Sequence, residues 1–175
     1  DFYGGNLNGI REKLSYLQEL SVELLYLNPI FFAFSTHRYD TCDYGRIDPM
    51  LGTEDDFRAL CAETHARGMR VILDGVFSHV GSRSRYFQEA ISDPNSKYRD
   101  WFDFKHYPDS YTSWWGITDL PCVKKDNEDF LRYLIDGEDA IAVHWLRAGA
   151  DGWRLDVVDE LPDSFVMRLR DRIRA

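Results

Sequence analysis

The segment GWRLDVVDE, residues 152–160, sets an arginine and an aspartate two positions apart inside an apolar run. On a strand, residues two apart project from the same face, so Arg154 and Asp156 are placed to meet. A guanidinium beside a carboxylate favours the ionised acid, and an ionised acid held in place can act as a nucleophile. The same pair could instead be a buried ion pair that only fixes strand register. Other polar residues bear on that choice. The run MRVILDG ends on Asp74 and is followed by GVFSH, which puts His79 just beyond it; STHRYDTCDY supplies Tyr39; Asp159 and Glu160 follow Asp156. A single histidine after a strand is more often a satisfied loop residue than a ligand-binding one, so His79 counts only as a member of this set.

Carboxylates, a histidine, an arginine and a tyrosine converging at the ends of strands suit cleavage of a neutral polar substrate. No metal-ligand spacing and no phosphate-cradling glycine loop opens any of the helices. Sugars fit this set, because a retaining glycosidase needs a carboxylate kept ionised to attack an anomeric carbon. On that reading Arg154 holds Asp156 charged and oriented.

The elements that must carry these residues follow from apolar periodicity. Ile10, Leu14 and Leu17 mark a helical stripe that runs into the short apolar run VELLYLNP, a buried strand that stops at Asn28-Pro29. Thr53 followed by EDD reads as a helix N-cap with acidic residues in the first turn, and Phe57, Leu60, Cys61 and Thr64 continue that helix to Gly68. MRVILDG is a second buried strand, AIAVHWLRAG a helix, GWRLDV a third strand, and Phe165, Leu169 and Ile173 the apolar stripe of a last helix, with the arginines of MRLRDRIR on its solvated side. Helices alternating with buried strands predict a parallel sheet, in which ligands gather at the carboxyl ends of the strands. Between the second and third strands lies a segment too long for a simple crossover and rich in aromatic residues. It is expected to form a small subdomain with those aromatics as its core, although SWWG, residues 113–116, could present a flat face to a sugar ring.

The 175 residues, 44% apolar and 29% charged, describe a globular protein with a real core. A net charge of −9 argues against nucleic acid and anionic lipid surfaces as partners, and no apolar run is long enough to span a membrane. Cys42, Cys61 and Cys122 are odd in number and far apart, which indicates neither a disulfide framework nor a zinc site. That pattern fits a reducing, cytoplasmic compartment, and it also occurs in secreted enzymes. The absence of an initiator Met suggests a chain cut from a longer one.

With these residues in view, the sequence resembles the α-amylase family of glycoside hydrolases, which are built on a (β/α)8 barrel with a subdomain inserted after the third strand. DGVFSH resembles the family motif at the third strand and GWRLDVVDE that at the fourth; LYLNPIF and STHRYDTCDYGRIDPMLGT resemble the second strand and the loop after it. The resemblance spans essentially the whole chain. It implies a partial barrel, strands two to four, with residues 1–78 as its first part, 79–127 as the inserted subdomain and 128–175 as the barrel's continuation. It implies that Asp156 is the nucleophile, Arg154 its charge partner, His79 a hydrogen-bond donor to the glucosyl ring being cleaved, Tyr39 a surface stacked under that ring and Asp74 a buttress. Glu160 stands where many amylases have His, a variant that resembles neopullulanases and cyclomaltodextrinases, so the implied substrates are α-1,4-linked and sometimes α-1,6-linked glucans, short or cyclic.

The departures carry expectations too. Ser78 replaces an Asn that binds calcium in many members, and Gly4 and Asn6 resemble a calcium-binding segment whose upstream partners are absent, so no cofactor is expected to be required. The family's acid/base Glu and second Asp follow later strands, so the isolated piece is expected to be inactive. Its unpaired sheet edges and uncovered face are expected to drive homo-oligomerisation. Two other readings stand beside this one: a non-catalytic amylase-like domain in a transporter-accessory role, and an unrelated doubly wound α/β domain whose acidic cluster binds a metal.

Overall fold

The structure, a computed structural model, describes residues 3–174. Its first helix, α1 (Leu7–Glu19), starts where Asn6 accepts the Gly9 N–H at 2.8 Å, and it buries Leu7 and Leu14. The chain then enters β1 (Leu24–Leu27). A capping box opens α2 (Glu54–His65): the Thr53 hydroxyl accepts the Asp56 N–H while the Asp56 carboxylate accepts the Thr53 N–H at 2.8 Å. Gly68, at φ +75°, ends the descent from α2 into β4 (Arg70–Gly75), a conformation costly for any residue with a Cβ.

Between β1 and α2 the structure holds an antiparallel hairpin, β2 (Phe31–Ala33) with β3 (Thr41–Ile47), where the sequence predicts only a loop. Asp43 and Gly45 argue against a strand on propensity. Burial of Thr41, Cys42, Tyr44 and Ile47 overrides that preference. The Trp145 indole donates to the Tyr44 carbonyl at 2.8 Å and so ties the hairpin to α5 (Ile141–Arg147).

After β4 come α3 (Arg85–Ser92), the small antiparallel pair β5 (Phe104–His106) and β6 (Ser110–Tyr111), α4 (Glu128–Leu131), whose last turn widens through Asp136, then α5, β7 (Gly152–Leu155) and α6 (Asp163–Arg174). In the inserted segment Tyr86, Phe87, Tyr98, Trp101 and Phe102 are buried, and they join the same core as the sheet. The arginines of α6 are not simply solvated. Arg168 bonds Glu128 and Asp136, and Arg172 donates to the Ile135 and Gly137 carbonyls, so they fasten α6 to the α4 segment.

β1, β4 and β7 form one parallel sheet in the order β1-β4-β7, and β4 is its centre. Register places Tyr26 beside Ile72, Ile72 beside Gly152, and Asp74 beside Arg154. One face of the sheet therefore presents Leu24, Tyr26, Ile72, Asp74 and Arg154, and the other Leu25, Leu27, Val71 and Leu73. The second set is buried in the main core; in the first, Leu24 and Tyr26 are exposed. Three parallel strands covered by helices on one side and bare on the other form an arc of a (β/α)8 barrel.

Candidate active site

The strand ends assemble the site. Asp74, the next-to-last residue of β4, is buried, and its carboxylate is held by three side chains: the Tyr26 and Tyr39 hydroxyls donate to Oδ2, the latter at 3.0 Å, and Arg154 Nη1 donates to Oδ1 at 2.9 Å. The same Arg154 nitrogen reaches Asp156 Oδ1 at 2.7 Å. Arg154 thus meets Asp74 first, by direct register across β4 and β7, and Asp156 second. Asp156 is not itself in the strand but one residue past its end, where its N–H still donates to the Gly75 carbonyl at 3.1 Å. Among the described residues, Oδ2 of Asp156 accepts no hydrogen bond.

Charge follows this geometry. Hydrogen bonds to Asp74 and Asp156 raise the Arg154 pKa further above its already high value, so the group between the two carboxylates is a permanent cation. Burial, with the Asp74 carboxylate adding to it, raises the Tyr26 hydroxyl, and burial likewise raises that of Tyr39; both are hydrogen-bond donors throughout the working pH range.

His79 lines the same cleft as Asp156 and is 2% exposed. Its Nε2 is 3.2 Å from the Tyr39 carbonyl, which can only accept, so Nε2 carries the proton and Nδ1 accepts from the Ser78 hydroxyl at 2.9 Å. Burial lowers the His79 pKa, and the Asp156 charge opposes that shift. A cleft of about 690 Å³ is lined by Tyr39, His79, Trp114, Asp156 and Val157, among others.

Two strained backbone positions adjoin these residues. Of the described non-glycine residues, four have positive φ: Ser21, Arg38, Trp115 and Val157. Val157 follows Asp156 and turns the chain sharply out of β7; for a β-branched residue φ +43° is a real outlier. Arg38 precedes Tyr39, and its guanidinium donates to Asp48 at 2.9 Å in a pair almost wholly buried. That pair pins the loop that presents Tyr39.

The structure therefore brings together five of the six residues singled out from sequence: Tyr39, Asp74, His79, Arg154 and Asp156. Glu160 makes no hydrogen bond to any of them, although its charge acts on His79. It accepts the Trp115 indole N–H at 3.1 Å from the inserted segment. Tyr26 and the Arg38–Asp48 pair escaped sequence reasoning, and Trp114 was raised only as part of SWWG, without its place beside His79. Tyr26 was readable, as a polar-tipped aromatic in an apolar strand with the same facing as Asp74. The Arg38–Asp48 pair and the place of Trp114 beside His79, ring centroids 5.7 Å apart, depend on loop conformations that no local pattern encodes.

A family model for the α-amylase catalytic domain matches residues 3–172. The chain belongs to the α-amylase catalytic-domain family. Across 99% of its length it is 42% identical to the intracellular maltogenic amylase of Bacillus subtilis, of which it covers 30%, and 41% identical to the amylopullulanase of Thermoanaerobacterium saccharolyticum, of which it covers 16%. The solved structure of the type III pullulan hydrolase from Thermococcus kodakarensis superposes on 97% of it with a TM-score of 0.90 and 42% identity, and the chain covers 30% of that protein. The chain thus spans less than a third of each of these three relatives. Its fold is the part of the α-amylase barrel that contains three neighbouring strands and the segment inserted between the last two.

Of the residues the sequence raised for calcium, Ser78 and Asn6 have protein partners. The Ser78 hydroxyl is fully buried and engaged by His79, and the Asn6 side chain is committed to capping α1.

Proposed function

We propose that the intact protein containing this chain is a retaining α-glucan hydrolase of the neopullulanase and cyclomaltodextrinase kind, acting on α-1,4 and in some substrates α-1,6 glucosidic bonds in starch-derived oligosaccharides, pullulan or cyclodextrins. The observation that carries this reading is the split role of Asp156. Arg154 fixes one carboxylate oxygen, and the other is uncommitted at the wall of a cleft. A nucleophile that must form a glycosyl ester needs one oxygen oriented and one free.

The other residues take roles consistent with that step. Asp74, held by two tyrosines, sets the position of Arg154. Tyr39 keeps its hydroxyl on Asp74 and leaves its ring for the sugar, and neutral His79 reaches a glucosyl hydroxyl by turning its Nε2 proton from the Tyr39 carbonyl, where it rests in the free site. A general acid is also required to protonate the leaving oxygen, and in this reading it comes from outside these 175 residues. The isolated chain then binds sugar weakly and does not hydrolyse it. The names of the relatives, which speak of maltogenic amylase, amylopullulanase and pullulan hydrolase, support the substrate class.

The test is Asp156→Asn in the intact protein, assayed on pullulan, cyclodextrin and starch. The expected loss in kcat is on the order of 10⁴-fold or more, as for removal of other catalytic nucleophiles. Activity within a few-fold of the parent would show that Asp156 is not the nucleophile.

A further inference from the structure

Trp115 is 81% exposed and holds a left-handed backbone, φ 50° and ψ 26°, with Gly116 after it at φ +78°. An exposed tryptophan in a strained conformation contributes little to a core, and strain of this kind persists where surrounding contacts enforce it. Here the enforcing contacts are visible. Glu160, from the turn after β7, accepts the indole N–H at 3.1 Å, and the ring stacks on Trp114 with centroids 5.4 Å apart and planes 25° apart. Trp114 in turn lies against His79. The rings of His79, Trp114 and Trp115 therefore form a series leading outward from the cleft that holds the candidate glucosyl site, and the outermost ring is exposed.

From this arrangement we infer that Trp115 is a sugar-stacking platform for an α-glucan unit beyond the one held at Asp156, and that Glu160 is a positioning residue for it. The chemistry is that of an amphipathic ring: the C–H face of a pyranose covers the exposed indole, while the indole N–H stays bonded to Glu160. The contact selects for longer chains, because a single glucosyl unit at Asp156 does not reach it. This inference rests on the glycosidase reading above.

The test uses the intact protein and two substrates, α-glucosyl fluoride, which has one glucosyl unit and a leaving group too small to reach the rim, and maltoheptaose. Trp115→Ala is expected to lower kcat/KM for maltoheptaose about tenfold, mainly through KM, an amount in keeping with the loss of one aromatic contact. The same variant should leave α-glucosyl fluoride hydrolysis within about twofold of the parent, since that substrate lacks the contact. Glu160→Ala should reproduce the selective loss and add little to it in the double variant, whereas Glu160→Gln, whose amide oxygen still accepts the indole N–H, should restore most of it. Equal losses on both substrates, no loss on either, or a Glu160→Gln variant as impaired as Glu160→Ala would overturn the inference. A parent protein that cleaves neither substrate would instead overturn the glycosidase reading on which it rests.

Discussion

At the residue scale the centre of the site is Arg154, a cation shared between a buried carboxylate and one open to the cleft. Its spacing from Asp156 was legible because strand geometry is periodic. That Asp74 is its second carboxylate partner was not, since cross-strand register is set by the packing of β4 against β7 and no local pattern encodes it. His79 gives this scale its prediction. Burial is the larger influence on the imidazole and lowers its pKa below the ordinary 6.5, with the Asp156 charge opposing. As pH falls, the unfolded chain binds the extra proton before the folded one does. The stability held in the neutral imidazole is therefore complete above 6.5 and is lost as pH falls from there toward the folded pKa. An NMR titration of the His79 ring in the intact protein should give a midpoint below 6.5; a midpoint above it would mean that the Asp156 charge outweighs burial.

At the scale of elements, three parallel strands and their helices were readable because each pairs an apolar run with a clear stop or cap: Asn28-Pro29 after β1, Thr53 with Asp56 before α2, Gly68 before β4. The β2–β3 hairpin was not, because its strands carry Asp and Gly and owe their conformation to burial beneath α5. Yet this hairpin and the loop after β4 are what bring Tyr39 to His79. Gly81 is where they touch: its N–H donates to the Thr41 carbonyl at 2.9 Å, and a Cβ there would sit 2.5 Å from the Asp40 carbonyl oxygen. Backbone cannot yield as a flexible side chain does, so Gly81→Ala must separate the two loops. The expected result in the intact protein is a stability loss of about 1–3 kcal/mol together with at least a tenfold fall in kcat/KM, since misplacement by about 1 Å can cost on the order of 100-fold. Unfolding and kinetic measurements check both, and a variant with parental activity would show that this contact does not position the site.

On the scale of the whole molecule, the sheet has two unlike faces. Helices cover one; the other leaves Leu24 and Tyr26 exposed at 46% and 41% beside Arg154, where a closed barrel would be filled. That bare face was foreseeable from the number of strands alone. Its consequence for the isolated 175-residue chain is association, because an uncovered sheet face with unpaired edges is a template for a second copy. Sedimentation velocity should show dimers or larger species growing with concentration, and a monomer at high concentration would contradict this. For the intact protein, the most direct test of the central claim is to trap the glycosyl ester with 5-fluoro-α-D-glucosyl fluoride and map the labelled peptide by mass spectrometry. The account predicts the sugar on Asp156, in a peptide containing Leu155-Asp156-Val157; a label on any other carboxylate, or turnover with no labelled protein, would contradict it.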